Sequence, residues 1–163
     1  MTPTWTDYAE PGSRKTLQLP THLLRHSTNP NIDATFEGAC IDTGAPRSVV
    51  GLLQAEAYAR YLNIQLALGK ACPVRFRFGQ QLFSSLGSFM VRVPMHRLFV
   101  SHRLEVVDVN VPMLLGMDFL DKHVLIIDVT RNLLVHQSNN SSQPLSRKHG
   151  HVYIEWDSDI LFT

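Results

Sequence analysis

The sequence predicts a mainly β domain, closed or nearly closed on itself, with one or two short helices. Short apolar runs, several of them alternating with polar residues, recur along the chain between Gly, Pro, Asn and Asp signals. Only one stretch shows sustained helical spacing. At 163 residues the chain can bury a core of its own and suits a single domain with tails.

Taken in order, residues 1–30 read as a leader. "MTPTWTDYAEPGSRK" is polar and broken by Pro3, Pro11 and Gly12; "KTLQLP" offers a short strand that Pro20 stops; "HSTNPN" is turn chemistry. The main domain is expected over 31–137. It begins with "ATFEGACI", which runs into Asp42. "VVGLLQAEAYARYLN" places Leu52, Ala55, Tyr58, Ala59 and Leu62 on one helical face. "VRFRFGQQLFSSLGSFMVRVP" reads as a hairpin. Val74, Phe76 and Phe78 alternate with Arg75 and Arg77, Gly79 permits the turn, and Phe89, Val91 and Val93 return. "LEVVDVNV" is a further strand. "PMLLGMDFLDKH" is an apolar strand end, a glycine and one or two helical turns, and "VLIIDV" pairs with "NLLVH" across Thr130-Arg131. Residues 138–163 read as a linker and a small terminal hairpin that turns at Asp157-Ser158-Asp159.

A formal charge of +1 gives no electrostatic case for nucleic acid or an anionic membrane. Two cysteines, Cys40 and Cys72, are too few for a disulfide framework, which points to a reducing, cytosol-like compartment. The first residues lack the order of a signal peptide, and no apolar run approaches ~18 residues. The expectation is a soluble cytoplasmic protein. His149 and His151 are the nearest thing to a metal pair, and no Cys pair accompanies them, so no zinc site is expected.

The chemistry concentrates in "CIDTGAPRSVVG", Cys40 to Gly51. Asp, Thr and Gly by themselves suit a turn. Here Asp42-Thr43-Gly44-Ala45 closes a strand, a hairpin with Gly79 near its tip follows, and Leu114-Leu115-Gly116 leads into a helical turn. In this order the three features resemble the retropepsins, the single-domain aspartic proteases of retroviruses and retrotransposons. "MLLGMDFLDKHVLIIDVTRNLLVH" is also similar to the retropepsin-like domain of the DNA-damage-inducible ubiquitin-shuttle proteins. The resemblance covers residues 34–137. The tail, "GHVYIEWDSDILFT", resembles the stretch that precedes the integrase region in copia-like polyproteins.

The resemblance implies a closed acid-protease β barrel that works as a homodimer without a cofactor. Acid-catalysed peptide hydrolysis needs one carboxylate to activate water and one protonated carboxyl to polarise the carbonyl. The chain holds a single D-T-G, and Asp108, Asp118, Asp121 and Asp128 lack a Thr/Ser-Gly context. The second carboxyl is therefore expected from Asp42 of a second copy across a two-fold axis. The resemblance further implies that Thr43 bonds across the dyad, Gly44 brings an N–H towards the carboxylates, and Ala45 keeps the substrate side small. Ser48 would support the loop, and Phe78, Gly79, Gln80 and Gln81 would form the flap over substrate. Leu114, Leu115 and Gly116 would pack beneath the loop. The implied substrate is a gag–pol-type polyprotein, cut in the cytoplasm or within virus-like particles. Two other readings stand beside this one: a catalytically silent dimerisation or peptide-binding module, and a retropepsin-like domain of a ubiquitin-linked cellular protein.

Overall fold

The computed structural model describes residues 16–19, 35–96 and 98–156. The chain runs through β1 (Thr16–Leu19), β2 (Ala39–Ile41), β3 (Val49–Gly51), α1 (Leu52–Leu62), β4 (Arg75–Phe78), β5 (Gln81–Ser84), β6 (Gly87–Met95) and β7 (Leu98–Val107). It continues through β8 (Met113–Leu115), α2 (Met117–His123), β9 (Leu125–Asp128), β10 (Leu133–His136), β11 (Ser141–Pro144), β12 (Ser146–Lys148) and β13 (His151–Ile154). The expected mainly β architecture with two helices is present.

The main sheet has seven strands in the order β12-β13-β2-β8-β3-β7-β6. Its three central strands read "ACI", "MLL" and "VVG", and every residue in them is buried. A strand covered on both faces has no need of a polar side, so it reads as a continuous apolar run. Successive side chains point to opposite faces, which splits each pair between two cores. Ile41, Val50 and Leu115 join Tyr58, Phe119 and Trp156 in one cluster. Cys40, Val49 and Leu114 join Phe76, Phe78 and Tyr153 in the other.

The expected helix is α1, which buries Gln54, Ala55, Ala57, Tyr58 and Ala59. Its three small residues let the helix lie close to the sheet. Asn63 ends it in the left-handed conformation, with its N–H on the carbonyls of Ala59 and Arg60.

Several expectations change. The long stretch read as one hairpin is two. Strands β4 and β5 pair around Gly79–Gln80, with Phe76 opposite Phe83. Strand β6 instead pairs along its whole length with β7. Spacing alone could not separate these pairings, because β5 and β6 are joined by only Ser85 and Leu86. The polar stretch expected as a linker forms β11, which pairs with β10, and β12, which pairs with β13. Strand β13 in turn pairs with β2, so its register is set by the central sheet rather than by local composition. The turn expected at Asp157-Ser158-Asp159 lies outside the described residues.

The expected closed barrel is not seen among the described residues. The backbone ladder ends at β12 and β6, and β1-β4-β5 and β11-β10-β9 form two further sheets. Side chains cover the outer edge of β6. Tyr58 Oη accepts the Arg92 N–H at 3.0 Å, and Trp156 Nε1 donates to the Arg92 carbonyl at 3.0 Å. Gln143 Nε2 donates to the Pro94 carbonyl at 3.1 Å. An edge whose polar groups are occupied in this way cannot template pairing with another chain. Among the described residues no helix is long and apolar enough to cross a membrane.

Candidate active site

Asp42 is the first residue after β2. Its own N–H donates to the Leu115 carbonyl at 2.9 Å, which continues the β2–β8 pairing by one step. The chain then turns. Gly44 N–H donates to Asp42 Oδ1 at 2.9 Å, and Ala45 N–H returns to the Asp42 carbonyl at 3.2 Å. An Asp that accepts an N–H two residues on is an Asx turn. It directs a backbone donor at the carboxylate, the role expected for Gly44. Thr43 and Gly44 are exposed at the tip of this turn, and Asp42 is half-buried beneath them.

A segment far along the chain clamps the loop. Met117 N–H donates to the Ala45 carbonyl at 2.8 Å and Asp118 N–H to the Pro46 carbonyl at 3.3 Å. Gly116 N–H donates to Ser48 Oγ at 3.1 Å. Ser48 Oγ donates to Asp118 Oδ1 at 2.7 Å, and Ser48 N–H donates to Asp118 Oδ2 at 3.0 Å. Gly116 is required by space: a Cβ there would sit 2.3 Å from the Ala45 carbonyl oxygen. Leu114 and Leu115 are fully buried on opposite faces of the sheet directly before this clamp.

Sequence reasoning missed two members of this network. His102, on β7, is buried, with Nε2 3.0 Å from Ser48 Oγ and 3.3 Å from Asp118 Oδ2. Asp118 itself was visible only as one more acid without a D-T-G context. Burial pushes the Asp118 carboxyl up, but the hydrogen bonds from His102 and from Ser48 outweigh it and leave the group below its ordinary value. Asp118 thus serves the loop and is committed to Ser48 and His102. Asp128 forms an ion pair at 2.7 Å with Arg131 on an exposed turn. Neither residue had a signal in the motif, because Ser48 and Asp118 stand 70 positions apart.

The expected flap is the β4–β5 hairpin, but its residues divide. Phe78 is buried and packs with Phe76, Ala45, Val49 and Leu114, and meets Phe83 edge-on at 5.8 Å between centroids. Gly79, with φ of 62°, makes the turn, and Gln80 and Gln81 are exposed at the tip. The hairpin therefore lies against the Asp42 loop through its phenylalanine face. Ala45 is fully buried in the cluster that includes Phe76 and Phe78. Both legs of the hairpin are held at the base by one buried acid. Glu105 Oε1 accepts the Cys72 N–H at 2.7 Å and the Ser85 hydroxyl at 3.3 Å. Glu105 N–H also donates to the Ser48 carbonyl at 3.4 Å, so β7 ties flap base and loop together.

No protein-family model matches the chain, and no curated protein matches it. Its fold is that of the retroviral protease-like, or retropepsin-like, domains. One solved structure of similar fold is the crystal structure of the retroviral protease-like domain of Ddi1 from Leishmania major. The match covers 68% of this chain and 85% of that one, with a TM-score of 0.50 and 21% sequence identity.

Proposed function

We propose that the chain is an aspartic endopeptidase that acts as a symmetric homodimer, with one Asp42 from each copy. The observation that carries this reading is the Asp42 turn itself. In a retroviral protease-like fold, a carboxylate at a strand end receives a backbone N–H from Gly44 and sits on a loop fixed by buried hydrogen bonds. Only one D-T-G is available per chain, and Thr43 and Gly44 stand exposed beside Asp42, where a second copy can meet them. Two carboxyls brought together share one proton, since both cannot ionise comfortably. The ionised member takes a proton from water, which attacks the scissile carbonyl carbon. The protonated member donates to the carbonyl oxygen, giving a tetrahedral diol. Its collapse returns a proton to the leaving amine nitrogen and breaks the C–N bond. The β4–β5 hairpin, through Gly79, Gln80 and Gln81, would close over the peptide and exclude water.

The substrate in this reading is a polyprotein of the retrotransposon kind, cut in the cytoplasm or within a virus-like particle. The likeness to the Ddi1 domain favours a second reading, a protease-like domain of a cellular protein. The two readings differ in substrate and share the chemistry. Asp42→Asn tests that chemistry: the amide keeps the acceptor for Gly44 N–H but cannot serve as base. Cleavage of a peptide library at mildly acidic pH should fall to background while the far-UV spectrum is unchanged. Cleavage equal to that of an active wild type would exclude the aspartic mechanism; absence of cleavage by either form would leave a silent binding module.

A further inference from the structure

We infer that His102 is a positioning residue for the Asp42 loop, acting through Ser48 as an Nε2–H donor. The inference rests on the reading of Asp42 as the reacting carboxylate, and the hydrogen-bond count around Ser48 assigns the proton. The Ser48 hydroxyl has one hydrogen and two lone pairs. Its hydrogen goes to Asp118 Oδ1 at 2.7 Å. One lone pair takes Gly116 N–H at 3.1 Å. His102 Nε2 lies 3.0 Å from the same oxygen, and with the serine hydrogen already committed the imidazole has to donate. The same N–H leans towards Asp118 Oδ2 at 3.3 Å, which already accepts Ser48 N–H.

Nδ1 is buried and has no hydrogen-bond partner among the described residues, so a ring proton finds acceptors at Nε2 and none at Nδ1. The ring is fixed by the Phe119 ring, edge-on at 5.1 Å, with His123 beyond at 6.2 Å. His102 thus supplies the last bond that fills Ser48. Ser48 and Asp118 hold Gly116 and the 45–48 backbone, and that backbone sets where Asp42 stands. Ser48 and His102 are 54 positions apart, which explains why no motif contains both.

A side chain that fixes a reacting group without touching substrate should alter turnover more than binding. Nitrogen-15 histidine spectra of the full chain should show His102 protonated at Nε2 and bare at Nδ1. His102→Leu should lower kcat by about 10- to 100-fold, with KM changed less than about 3-fold, and should shift the amide resonances of residues 42–48. His102→Gln offers an amide N–H where Nε2–H stood and should recover most of kcat. An Nδ1–H tautomer, or a His102→Leu chain with wild-type kcat and unmoved loop amides, would overturn the inference. If His102→Leu does not fold, the wild-type tautomer and the His102→Gln kcat decide. Should Asp42→Asn cleave as well as the wild type, the peptidase reading fails, and the nitrogen spectra and loop amides still judge His102.

Discussion

Gly116 shows how much one missing side chain can carry. Its N–H reaches Ser48, and its α-carbon faces the Ala45 carbonyl with no room for a methyl group. Gly116→Ala must push the clamp away from the loop. The expected cost is on the order of 2–3 kcal/mol in chemical denaturation, as for overpacking a close-fitted core. If the chain is the proposed peptidase, cleavage should fall by more than stability alone explains, because the loop carries Asp42. A variant with unchanged midpoint and activity would show that the loop has slack. At this scale the sequence was partly legible. Asp42 and Gly44 stand out as turn chemistry at a strand end, and Ser48 and Gly116 only through the resemblance to the retropepsins. His102, Asp118 and Glu105 did not, since their roles depend on partners brought close only by sheet pairing. Phe78 was ambiguous for the same reason: alternation shows that it is buried but not against what.

Elements follow the same division. The apolar runs of β2, β3 and β8 and the spacing of α1 were readable, because burial on both faces and the helical period leave direct marks in composition. Pairing was not. Strands β5 and β6 could each have returned against β4, and only the ladder with β7 resolves the choice. The edge of β6 depends on residues from three other places, Tyr58, Gln143 and Trp156. Trp156 also packs edge-on against Phe36 at 5.0 Å and Tyr58 at 6.2 Å. Trp156→Ala should cost about 3–5 kcal/mol and uncover the Arg92 carbonyl. Light scattering should then register self-association at concentrations where the wild type gives none, a stretch of exposed edge being a template for further strands. A destabilised variant that stays dispersed would mean that Tyr58 and Gln143 suffice as cover.

At the scale of the whole molecule, two partly buried titrating groups contribute to how acid acts on the fold. Burial, with the nearby charge of Lys122 acting in the same direction, holds His123 below its ordinary value. Asp118 is also held below its ordinary value. In both cases the folded state binds protons less readily than the unfolded chain, so both contributions are present at neutral pH. The His123 contribution is lost as pH falls below about 6.5 and through its folded value; the Asp118 contribution is lost later, below about 4. Tm should therefore be level near neutrality and fall in two stages, and His123→Gln should remove the first. A wild-type Tm that rises on acidification from neutrality would contradict this sign. Assembly belongs to the same scale. If each site needs two copies of Asp42, dilution below the dimer Kd should lower specific activity. Excess Asp42→Asn chains should poison the remainder, and a fully active monomer in sedimentation would refute the shared dyad.

The clamp across the Asp42 loop also acts as a clock. Ser48 finds Asp118 only 70 residues later, and β2 receives β13 later still. During synthesis at roughly 5–20 residues per second, the loop waits about 4–14 s for its anchor. Throughout that interval Asp42 is an acid on an unheld turn. The residues that fix the place of Asp42 are thus supplied only well after Asp42 itself has been made.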